Sequence, residues 1–261
     1  MGDIVTMDDL TNQEIVAVLD DAERLVPVAK GDVYLPLLQG KVLANMFFEN
    51  STRTRMSFET AMKRLGGSVL NFTSIGTSVA KGETLYDTMQ MIDGYADVAA
   101  IRHPRQGAAQ YSADAVEIPI LNAGDGAGNH PTQTMLDLFT IRQAHGTLEG
   151  LNVVLVGDLR YGRTVHSLSH ALVRFGAKLT LVSPSTLKMP VEIVTDLREH
   201  GSEIMETESL EDQIAGADVI YVTRIQKERF PDEDEYAKVA GIYKIEASDL
   251  SGAMKLSLIH I

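Results

Sequence analysis

An apolar run passes directly into a polar, helix-forming segment at residues 47–55, Phe-Phe-Glu-Asn-Ser-Thr-Arg-Thr-Arg. The run at 42–48 is typical of a strand, and residues 53–65 are typical of a helix. A strand that leads into a helix is the repeating unit of α/β folds. The junction therefore predicts this fold class for the part of the chain around it.

The same alternation continues along the rest of the chain. Thr11 is a plausible N-cap of the first helix, and Glu14 completes a capping box with it. Strands are predicted at 42–48, 68–72, 98–102, 118–122, 152–157, 178–183, 218–223 and 254–259, and helices at 11–26, 53–65, 83–95, 107–115, 132–145, 164–175, 191–200 and 210–215. Such alternation implies parallel sheets flanked by helices on both faces. We expect two α/β domains, 1–130 and 131–261, with ligands bound at the carboxyl ends of strands in the interdomain cleft.

The first junction carries the residue types of an anion site. Ser51 and Thr52 are natural caps, and the N–H groups of a first helical turn attract anions together with the positive end of the helix dipole. Arg53 adds a guanidinium, and Thr54 adds a second threonine hydroxyl. The sequence thus predicts a phosphate cradle without a glycine-rich loop. A capped helix with solvated arginines explains the same residues equally well.

Cationic and amide side chains follow two further strands. Arg102 closes the third predicted strand, and His130 and Gln133 follow the fourth. If they converge, these groups donate hydrogen bonds to a polarised carbonyl, which is the arrangement that stabilises an oxyanion. The alternatives are a surface charge for the arginine and a structural role for the histidine, and both are common.

The second half of the chain has a strand followed by residues 157–164, Gly-Asp-Leu-Arg-Tyr-Gly-Arg-Thr. A dinucleotide fingerprint requires three glycines at fixed spacing, and this segment has only two. What remains is Arg163 at a helix start and a basic cluster at 223–229. Two arginines at strand ends suit a dicarboxylate, because guanidinium groups pair carboxylates bidentately. A solvated loop is the more common explanation of such a cluster.

A polar loop at 74–83 precedes the next helix and contains Lys81 beside Gly82. It is either a flexible connection or a segment whose lysine reaches a phosphate as a mobile charge.

The composition argues against several classes of function. The 261 residues include 23 Lys and Arg against 36 Asp and Glu, and the formal net charge of −13 disfavours a nucleic-acid-binding surface. The absence of Cys excludes disulfides, thiolate zinc sites and a Cys nucleophile. No apolar run approaches the roughly 20 residues of a membrane helix, and the first ten residues carry three Asp and no basic residue. We expect a cytoplasmic protein that binds neither nucleic acid nor membranes.

Seven segments taken together resemble the aspartate carbamoyltransferases, a branch of the aspartate/ornithine carbamoyltransferase superfamily. They are 51–55 (Ser-Thr-Arg-Thr-Arg), 78–83, 102–104 (Arg-His-Pro), 122–126 (Asn-Ala-Gly-Asp-Gly), 130–133 (His-Pro-Thr-Gln), 157–164 and 223–229. The first segment marks carbamoyltransferases in general, whereas Arg163 and residues 224–229 point to the aspartate branch. The resemblance implies transfer of the carbamoyl group of carbamoyl phosphate to the α-amine of L-aspartate, which gives N-carbamoyl-L-aspartate and phosphate in de novo pyrimidine biosynthesis.

The resemblance also implies roles for individual residues. The residues expected to hold the phosphate of carbamoyl phosphate are Ser51, Thr52, Arg53 and Thr54. Those expected at its carbonyl oxygen are Thr54, Arg102 and His130, and Gln133 is expected at its amide group. Aspartate is expected to be held by Arg163, Arg224 and Gln226.

The resemblance further implies an active site shared between subunits of a homotrimer. Ser78 and Lys81 are expected to reach it from the neighbouring subunit. The expected catalytic set is Thr54, Lys81, Arg102 and His130. No metal or organic cofactor is implied, and a separate regulatory chain is a candidate partner.

Two departures from the family pattern bear on these expectations. The loop around Ser78 is one residue shorter than in some members. Residues 257–261, Ser-Leu-Ile-His-Ile, begin like the family's His-Pro-Leu-Pro-Arg segment and stop where the first proline is expected, which predicts a chain that lacks the family's C-terminal tail. Two rival functions follow: a poorly active or non-catalytic assembly subunit, and a carbamoyltransferase for another amine such as ornithine. The arginines and the absence of Cys disfavour ornithine.

Overall fold

The computed structural model describes residues 2–73, 82–126, 128–223 and 242–243, and the backbone of 257–260. It divides the chain into two compact units, Met1–Met135 and Leu136–Ile261. Each unit is built on a parallel sheet with helices, which confirms the predicted α/β class. The division falls inside the helix Pro131–His145, whereas the sequence placed the domain boundary just before that helix.

The first unit contains a four-stranded parallel sheet of order β2-β1-β3-β4. Its strands are β1 (Val42–Phe47), β2 (Ser68–Thr73), β3 (Val98–His103) and β4 (Ile120–Asp125). The central strands supply much of the core, because a parallel sheet is buried on both faces. Met46, Ala99 and Ile101 are almost completely buried there. All four strands were predicted, although β4 runs on to Asp125 instead of ending at residue 122.

The described residues of this part of the chain include five α-helices, the last of which continues into the second unit. They are α1 (Asn12–Lys30), α2 (Thr52–Arg64), α3 (Leu85–Asp93), α4 (Ala108–Ala113) and α5 (Pro131–His145). The predicted capping box is confirmed: Thr11 Oγ1 accepts the Glu14 N–H at 3.2 Å, and Glu14 Oε2 accepts the Thr11 N–H at 2.8 Å. Helix α1 continues past its predicted end at residue 26, with Pro27 in its last turn.

The second unit contains a five-stranded parallel sheet of order β7-β6-β5-β8-β9. Its strands are β5 (Asn152–Val156), β6 (Lys178–Val182), β7 (Ile204–Thr207), β8 (Val219–Val222) and β9 (Ser257–His260), and its further helices are α6 (Arg163–Val173), α7 (Val191–Glu199) and α8 (Glu211–Ile214). Leu155, Val156, Ile220 and Tyr221 are completely buried in the central strands.

The sequence did not predict β7, which lies at the edge of the second sheet. None of its residues is buried, and Met205 and Glu206 are exposed. An edge strand of this kind has no apolar run, so the pattern that revealed the inner strands is absent. No helix within the described ranges is both long enough and apolar enough to cross a membrane.

Candidate active site

Helix α2 begins where the sequence predicted an anion site. Ser51 occupies the N-cap position with an extended backbone, but its side chain makes no capping hydrogen bond. Ser51 is thus the N-cap residue, as the sequence predicted, whereas Thr52 is not a cap but the first helical residue. The first-turn N–H groups are therefore not occupied by the N-cap side chain. Together with the helix dipole they attract an anion.

The side chains of this first turn lie at the surface. Thr52 and Arg53 are exposed, and Thr54 is partly buried. The turn, all of which is described, contains no acidic residue that would neutralise the dipole or pair with Arg53. Hydroxyl, guanidinium and backbone donors are thus presented at one helix end. We call residues 51–54 the phosphate cradle, after the anion that this set of donors suits.

Arg102 lies beside the phosphate cradle because β3 pairs with β1, with Arg102 in register with Phe47. Its side chain is 12% exposed and its Nε donates to Glu49 Oε2 at 3.1 Å. Nη1 also donates to the Ala123 carbonyl at 3.4 Å, beside the end of β4. Glu49 thus fixes the guanidinium at the carboxyl edge of the sheet. Glu49 was not predicted as a site residue from the sequence, although it lies in the segment 47–55.

His103, the next residue along the chain, contributes no charge to this edge. Its ring lies 5.1 Å from the ring of Phe48, and its Nδ1 accepts the Arg105 N–H at 3.0 Å. Burial lowers the pKa of His103, and the charge of Arg105 lowers it further. His103 is therefore neutral at pH 7, and the positive charge here comes from arginines.

His130 immediately precedes α5 and is 5% exposed. Its Nδ1 lies 3.3 Å from the Gln133 backbone nitrogen and 3.3 Å from Thr132 Oγ1. Because a backbone N–H can only donate, Nδ1 is the acceptor and the neutral ring carries its proton on Nε2. Nε2 is thus the donor nitrogen of the ring, and Gln133 lies in the first turn of the same helix.

The loop between β4 and His130 is held by Asp125, which is 4% exposed. Its Oδ1 accepts the Asn129 N–H at 2.8 Å, and its Oδ2 accepts the Gly107 N–H at 2.8 Å. Gly126 has φ +55°, and a Cβ there would lie 2.7 Å from the Pro104 carbonyl oxygen. The described residues of this loop are therefore held against the end of the sheet. The phosphate cradle, Arg102 and the start of this loop lie at the carboxyl ends of adjacent strands.

In the second unit, Arg163 is the first residue of α6 and is partly buried. The turn before it is closed by its own polar groups. Asp158 Oδ1 accepts the Tyr161 N–H at 2.9 Å, and Thr223 Oγ1 accepts the Asp158 N–H at 2.8 Å. Gly157 has φ +114°, and a Cβ there would lie 2.5 Å from the Thr223 carbonyl oxygen. The ends of β5 and β8 are thus joined directly, which the sequence pattern did not reveal.

Four of the predicted site residues lie outside the described residues: Ser78, Lys81, Arg224 and Gln226. Within the described part of the chain, no group of three or more His, Asp or Glu side chains is arranged to hold a metal ion.

The fold and site define a class: an α/β protein of two units, in which the first sheet leads into a helix start whose donors suit a phosphate-type anion. The family model for the aspartate/ornithine carbamoyltransferase carbamoyl-P binding domain matches residues 2–143. The model for the Asp/Orn binding domain of the same family matches residues 149–260. The chain belongs to the aspartate/ornithine carbamoyltransferase family.

Individual relatives narrow the comparison to the aspartate branch. The chain is 52% identical over 249 residues to the aspartate carbamoyltransferase catalytic subunit of Methanothermobacter thermautotrophicus, covering 95% of this chain and 80% of that protein. It is 53% identical over 259 residues to the corresponding subunit of Methanococcoides burtonii, covering 98% of this chain and 84% of that protein.

Solved structures give the same result. The catalytic subunit of M. jannaschii aspartate transcarbamoylase superposes with a TM-score of 0.92 at 48% identity, covering 100% of this chain and 85% of that one. Aspartate transcarbamoylase from Trypanosoma cruzi, crystallised with carbamoyl phosphate and aspartate, superposes with a TM-score of 0.92 at 40% identity. The match covers 99% of this chain and 84% of that one.

Proposed function

We propose that this chain transfers the carbamoyl group of carbamoyl phosphate to the α-amine of L-aspartate. The products are N-carbamoyl-L-aspartate and phosphate, and the reaction serves de novo pyrimidine biosynthesis. The observation that carries the proposal is the helix start at Ser51, uncapped by that side chain, beside Arg102, which Glu49 orients at the end of the neighbouring strand. The substrates named for the T. cruzi relative support it.

In this proposal the phosphate cradle binds the phosphate of carbamoyl phosphate. Its charge-assisted donors are the first-turn N–H groups and Arg53, with hydroxyls from Ser51, Thr52 and Thr54. A phosphate bound at an exposed helix start has its remaining substituent free to extend along the edge of the sheet.

The carbonyl oxygen of carbamoyl phosphate is assigned to Arg102, His130 and Thr54. Arg102 has two donor contacts within the chain, to Glu49 and Ala123, and a guanidinium has further N–H groups for a ligand. His130 donates through Nε2, since Nδ1 is an acceptor. Gln133 is assigned to the carbamoyl amide group. These donors act where negative charge develops in the transition state.

The aspartate carboxylates are assigned to Arg163, Arg224 and Gln226. Arg163 starts α6, where the positive end of the helix dipole adds to the guanidinium charge. Arg224 follows Thr223, whose hydroxyl accepts from Asp158. Two anionic substrates repel each other, so a chain of net charge −13 has to gather cations at the site.

The chemistry then needs no covalent enzyme intermediate. The amine nitrogen attacks the carbonyl carbon, the carbonyl oxygen gains negative charge, and a tetrahedral intermediate forms. The bond from that carbon to the phosphate oxygen breaks, and the nitrogen loses a proton as phosphate leaves. The rate enhancement comes from orienting the amine and stabilising the oxyanion.

Ser78 and Lys81 are assigned to the site of a neighbouring subunit in a homotrimer, with a regulatory chain as a further candidate partner. The relatives' designation as catalytic subunits supports an assembly of several chains. Mixing Lys81→Ala with Arg53→Ala chains tests the shared site. After verified subunit exchange, activity should return through sites that combine one intact contribution from each chain. No recovery would contradict a shared site.

The cytoplasmic location stays a prediction from the sequence.

The proposed reaction is tested by incubating the purified 261-residue chain with carbamoyl phosphate and either L-aspartate or L-ornithine. We expect N-carbamoyl-L-aspartate and an equal amount of phosphate, with no carbamoylated ornithine. Product from ornithine alone would assign the chain to the other branch of the family. No product from either amine would favour the assembly-subunit alternative.

A further inference from the structure

Asn45 is a completely buried polar residue in the middle of β1, one of the two central strands of the first sheet. It stands in register with Asn71 on β2 and with Ala100 on β3. A buried amide in a central strand is costly unless its hydrogen bonds are made. Its contacts are therefore informative.

Both hydrogens of the Asn45 amide are used. Nδ2 donates to the Arg55 carbonyl oxygen at 3.1 Å and to Asn71 Oδ1 at 3.1 Å. Oδ1 is buried and meets no donor among the described residues. Turning the amide over would place Oδ1 against two oxygen acceptors, so the Arg55 and Asn71 oxygens fix its orientation. Nδ2 of Asn45 thus donates to helix α2, while Oδ1 of the same amide is left without a donor among the described residues.

The bond to Arg55 reaches the part of α2 that has the least apolar anchoring. Met62, near the other end, is the only buried residue of this helix, and Phe58 is partly buried against the same cluster. Residues 52–57 include none that is buried. The link from Asn45 to the Arg55 carbonyl therefore attaches the first turns of α2 to the sheet by a polar contact.

This link also closes the loop that contains the phosphate cradle. β1 ends at Phe47 and α2 begins at Thr52, so the segment between Asn45 and Arg55 is closed by this hydrogen bond and contains the cradle directly before Arg55. We propose that Asn45 is a positioning residue, which sets where the first turn of α2 presents its donors to the phosphate. This inference rests on the proposed function, because carbamoyl phosphate is the ligand assigned to that turn.

Asn71 provides a matched control. It accepts from the same Asn45 amide and donates to Glu59 Oε2 at 3.1 Å, one turn further along α2. Asn71 is exposed, and Glu59 also pairs with Lys63. Removing Asn71 breaks hydrogen bonds to the same strand and helix but leaves the bond from Asn45 to the Arg55 carbonyl. A purely structural effect would be shared by both residues, whereas a positioning effect belongs to Asn45.

The experiment compares Asn45→Ala, Asn45→Leu and Asn71→Ala with the wild type. Calorimetry gives the Kd for inorganic phosphate, and initial rates give KM for carbamoyl phosphate and for aspartate. Loss of one hydrogen bond corresponds to a roughly three- to tenfold change in affinity. We expect both Asn45 variants to raise the phosphate Kd and the carbamoyl phosphate KM by about that factor, with aspartate KM within about twofold. Asn71→Ala should leave all three values within about twofold.

Amide hydrogen exchange adds a measurement that needs no ligand. Exchange at residues 52–57 should be faster in the Asn45 variants than in Asn71→Ala, because only the former lose the bond to the first turns of α2. Leucine has the same number and branching of side-chain heavy atoms as asparagine, although its methyl groups are bulkier, so Asn45→Leu keeps the site filled if Asn45→Ala does not fold. If neither folds, Asn45 is required by the fold and the positioning role is wrong.

The remaining outcomes separate the inference from the proposed function. Equal phosphate affinity in wild type and Asn45 variants, or an equal loss in Asn71→Ala, would overturn the role of Asn45 while turnover by the wild type continued. A wild type that binds phosphate but does not carbamoylate aspartate would overturn the function, and the Kd comparison would still decide the role of Asn45. A wild type that binds no phosphate would overturn both.

Discussion

The turn from β1 to α2 and the turn from β5 to α6 both join a strand to a helix. They differ in the polar groups that face their backbone N–H groups. Neither helix has a side-chain cap. The N-cap residue of α2, Ser51, makes no capping hydrogen bond, and the N-cap residue of α6, Gly162, has no side chain. At the first turn the exposed side chains include Arg53, and the N-cap hydroxyl leaves the first-turn N–H groups unoccupied. At the second, Asp158 is 2% exposed and accepts the Tyr161 N–H.

The difference shows how one connection serves two purposes. In the turn before α6 the chain supplies its own carboxylate and hydroxyl to the backbone N–H groups of Tyr161 and Asp158, so these two groups need no ligand. In the turn before α2 we propose that the substrate supplies an anion to the first-turn N–H groups. Substitutions in the turn before α6 should therefore change stability, whereas those in the turn before α2 should change ligand binding.

The largest expected effect is that of Gly157→Ala. A Cβ at this position would lie 2.5 Å from the Thr223 carbonyl oxygen, and φ is +114°. Left-handed backbone strain of about 1–2 kcal/mol and overpacking of about 1–3 kcal/mol together predict a loss of about 2–5 kcal/mol in the free energy of unfolding. Urea denaturation measures it.

Gly150→Ala is the control for this prediction. Gly150 also has a positive φ, of +66°, but no atom lies within 4 Å of a Cβ built there. It should lose only the backbone term, about 1–2 kcal/mol. If the two variants were equally stable, the close approach of β8 to the end of β5 would not stabilise the turn before α6.

Arg53→Ala is expected to produce the complementary result in the turn before α2. Loss of a charge-assisted hydrogen bond should weaken carbamoyl phosphate binding by about 1.5–3 kcal/mol, or more than tenfold in KM. The free energy of unfolding should change by less than about 0.5 kcal/mol, because the side chain is exposed. Arg53→Lys keeps the charge but not the guanidinium fork, so its KM for carbamoyl phosphate should lie between those of the wild type and Arg53→Ala. An unchanged saturation curve for carbamoyl phosphate would remove Arg53 from the phosphate cradle.

Tyr221→Phe tests the buried network of the second unit with a smaller change. The Tyr221 hydroxyl donates to Asp137 Oδ2 at 3.0 Å, and both residues are completely buried. Thr164, the residue after Arg163, also hydrogen-bonds to this hydroxyl. Removing the hydroxyl leaves a buried acceptor with one donor fewer, so the free energy of unfolding should fall by about 1–2 kcal/mol. Tyr34→Phe is the control, because Tyr34 is 76% exposed and should change nothing measurable.

The same network predicts a dependence of stability on pH. Burial raises the pKa of Tyr221, and the nearby Asp137 raises it further. An acid whose pKa is raised in the folded state holds its proton more tightly there, so its contribution is complete below the unfolded pKa of about 10 and is lost above it. Denaturation between pH 9 and pH 11 should show a smaller loss of stability in Tyr221→Phe than in the wild type. Parallel curves would contradict a buried, protonated Tyr221.

The sequence predicted the fold where burial follows a simple period. The central strands β1, β3, β5 and β8 are apolar because both faces of each sheet are covered, so their runs were recognisable. β7 was missed because its four residues, Ile-Met-Glu-Thr, are too few to form a recognisable apolar run, whereas the edge strand β2 is longer and alternates apolar with polar residues. The capping box at Thr11 was predicted correctly because its two residues are only three positions apart, so the local sequence shows both of them.

The sequence predicted site residues from their type and their position next to a strand or helix, but not the contacts they make with residues distant in the sequence. Arg102 was predicted from its position at a strand end, but Glu49, which holds it, lies 53 residues away in sequence and meets it only through sheet pairing. Asn45 and Thr223 were missed for the same reason, since their hydrogen bonds to Arg55 and Asp158 depend on the packing of helix on sheet and strand on strand. Ser51 was correctly predicted as the N-cap residue, but residue type alone does not show whether its hydroxyl turns towards its own helix, and here it makes no capping hydrogen bond.

The smallest expected effect is the stability change on Ser51→Ala, measured beside Thr11→Ala. Both residues occupy N-cap positions, but Thr11 bonds to the Glu14 N–H whereas Ser51 makes no capping hydrogen bond. Thr11→Ala should lower the free energy of unfolding by about 1 kcal/mol, and Ser51→Ala should change it by less than about 0.5 kcal/mol in phosphate-free buffer. Urea midpoints at one temperature decide between them. A loss at Ser51 equal to that at Thr11 would mean that this hydroxyl caps α2 in solution, so that an anion at the cradle would have to displace it.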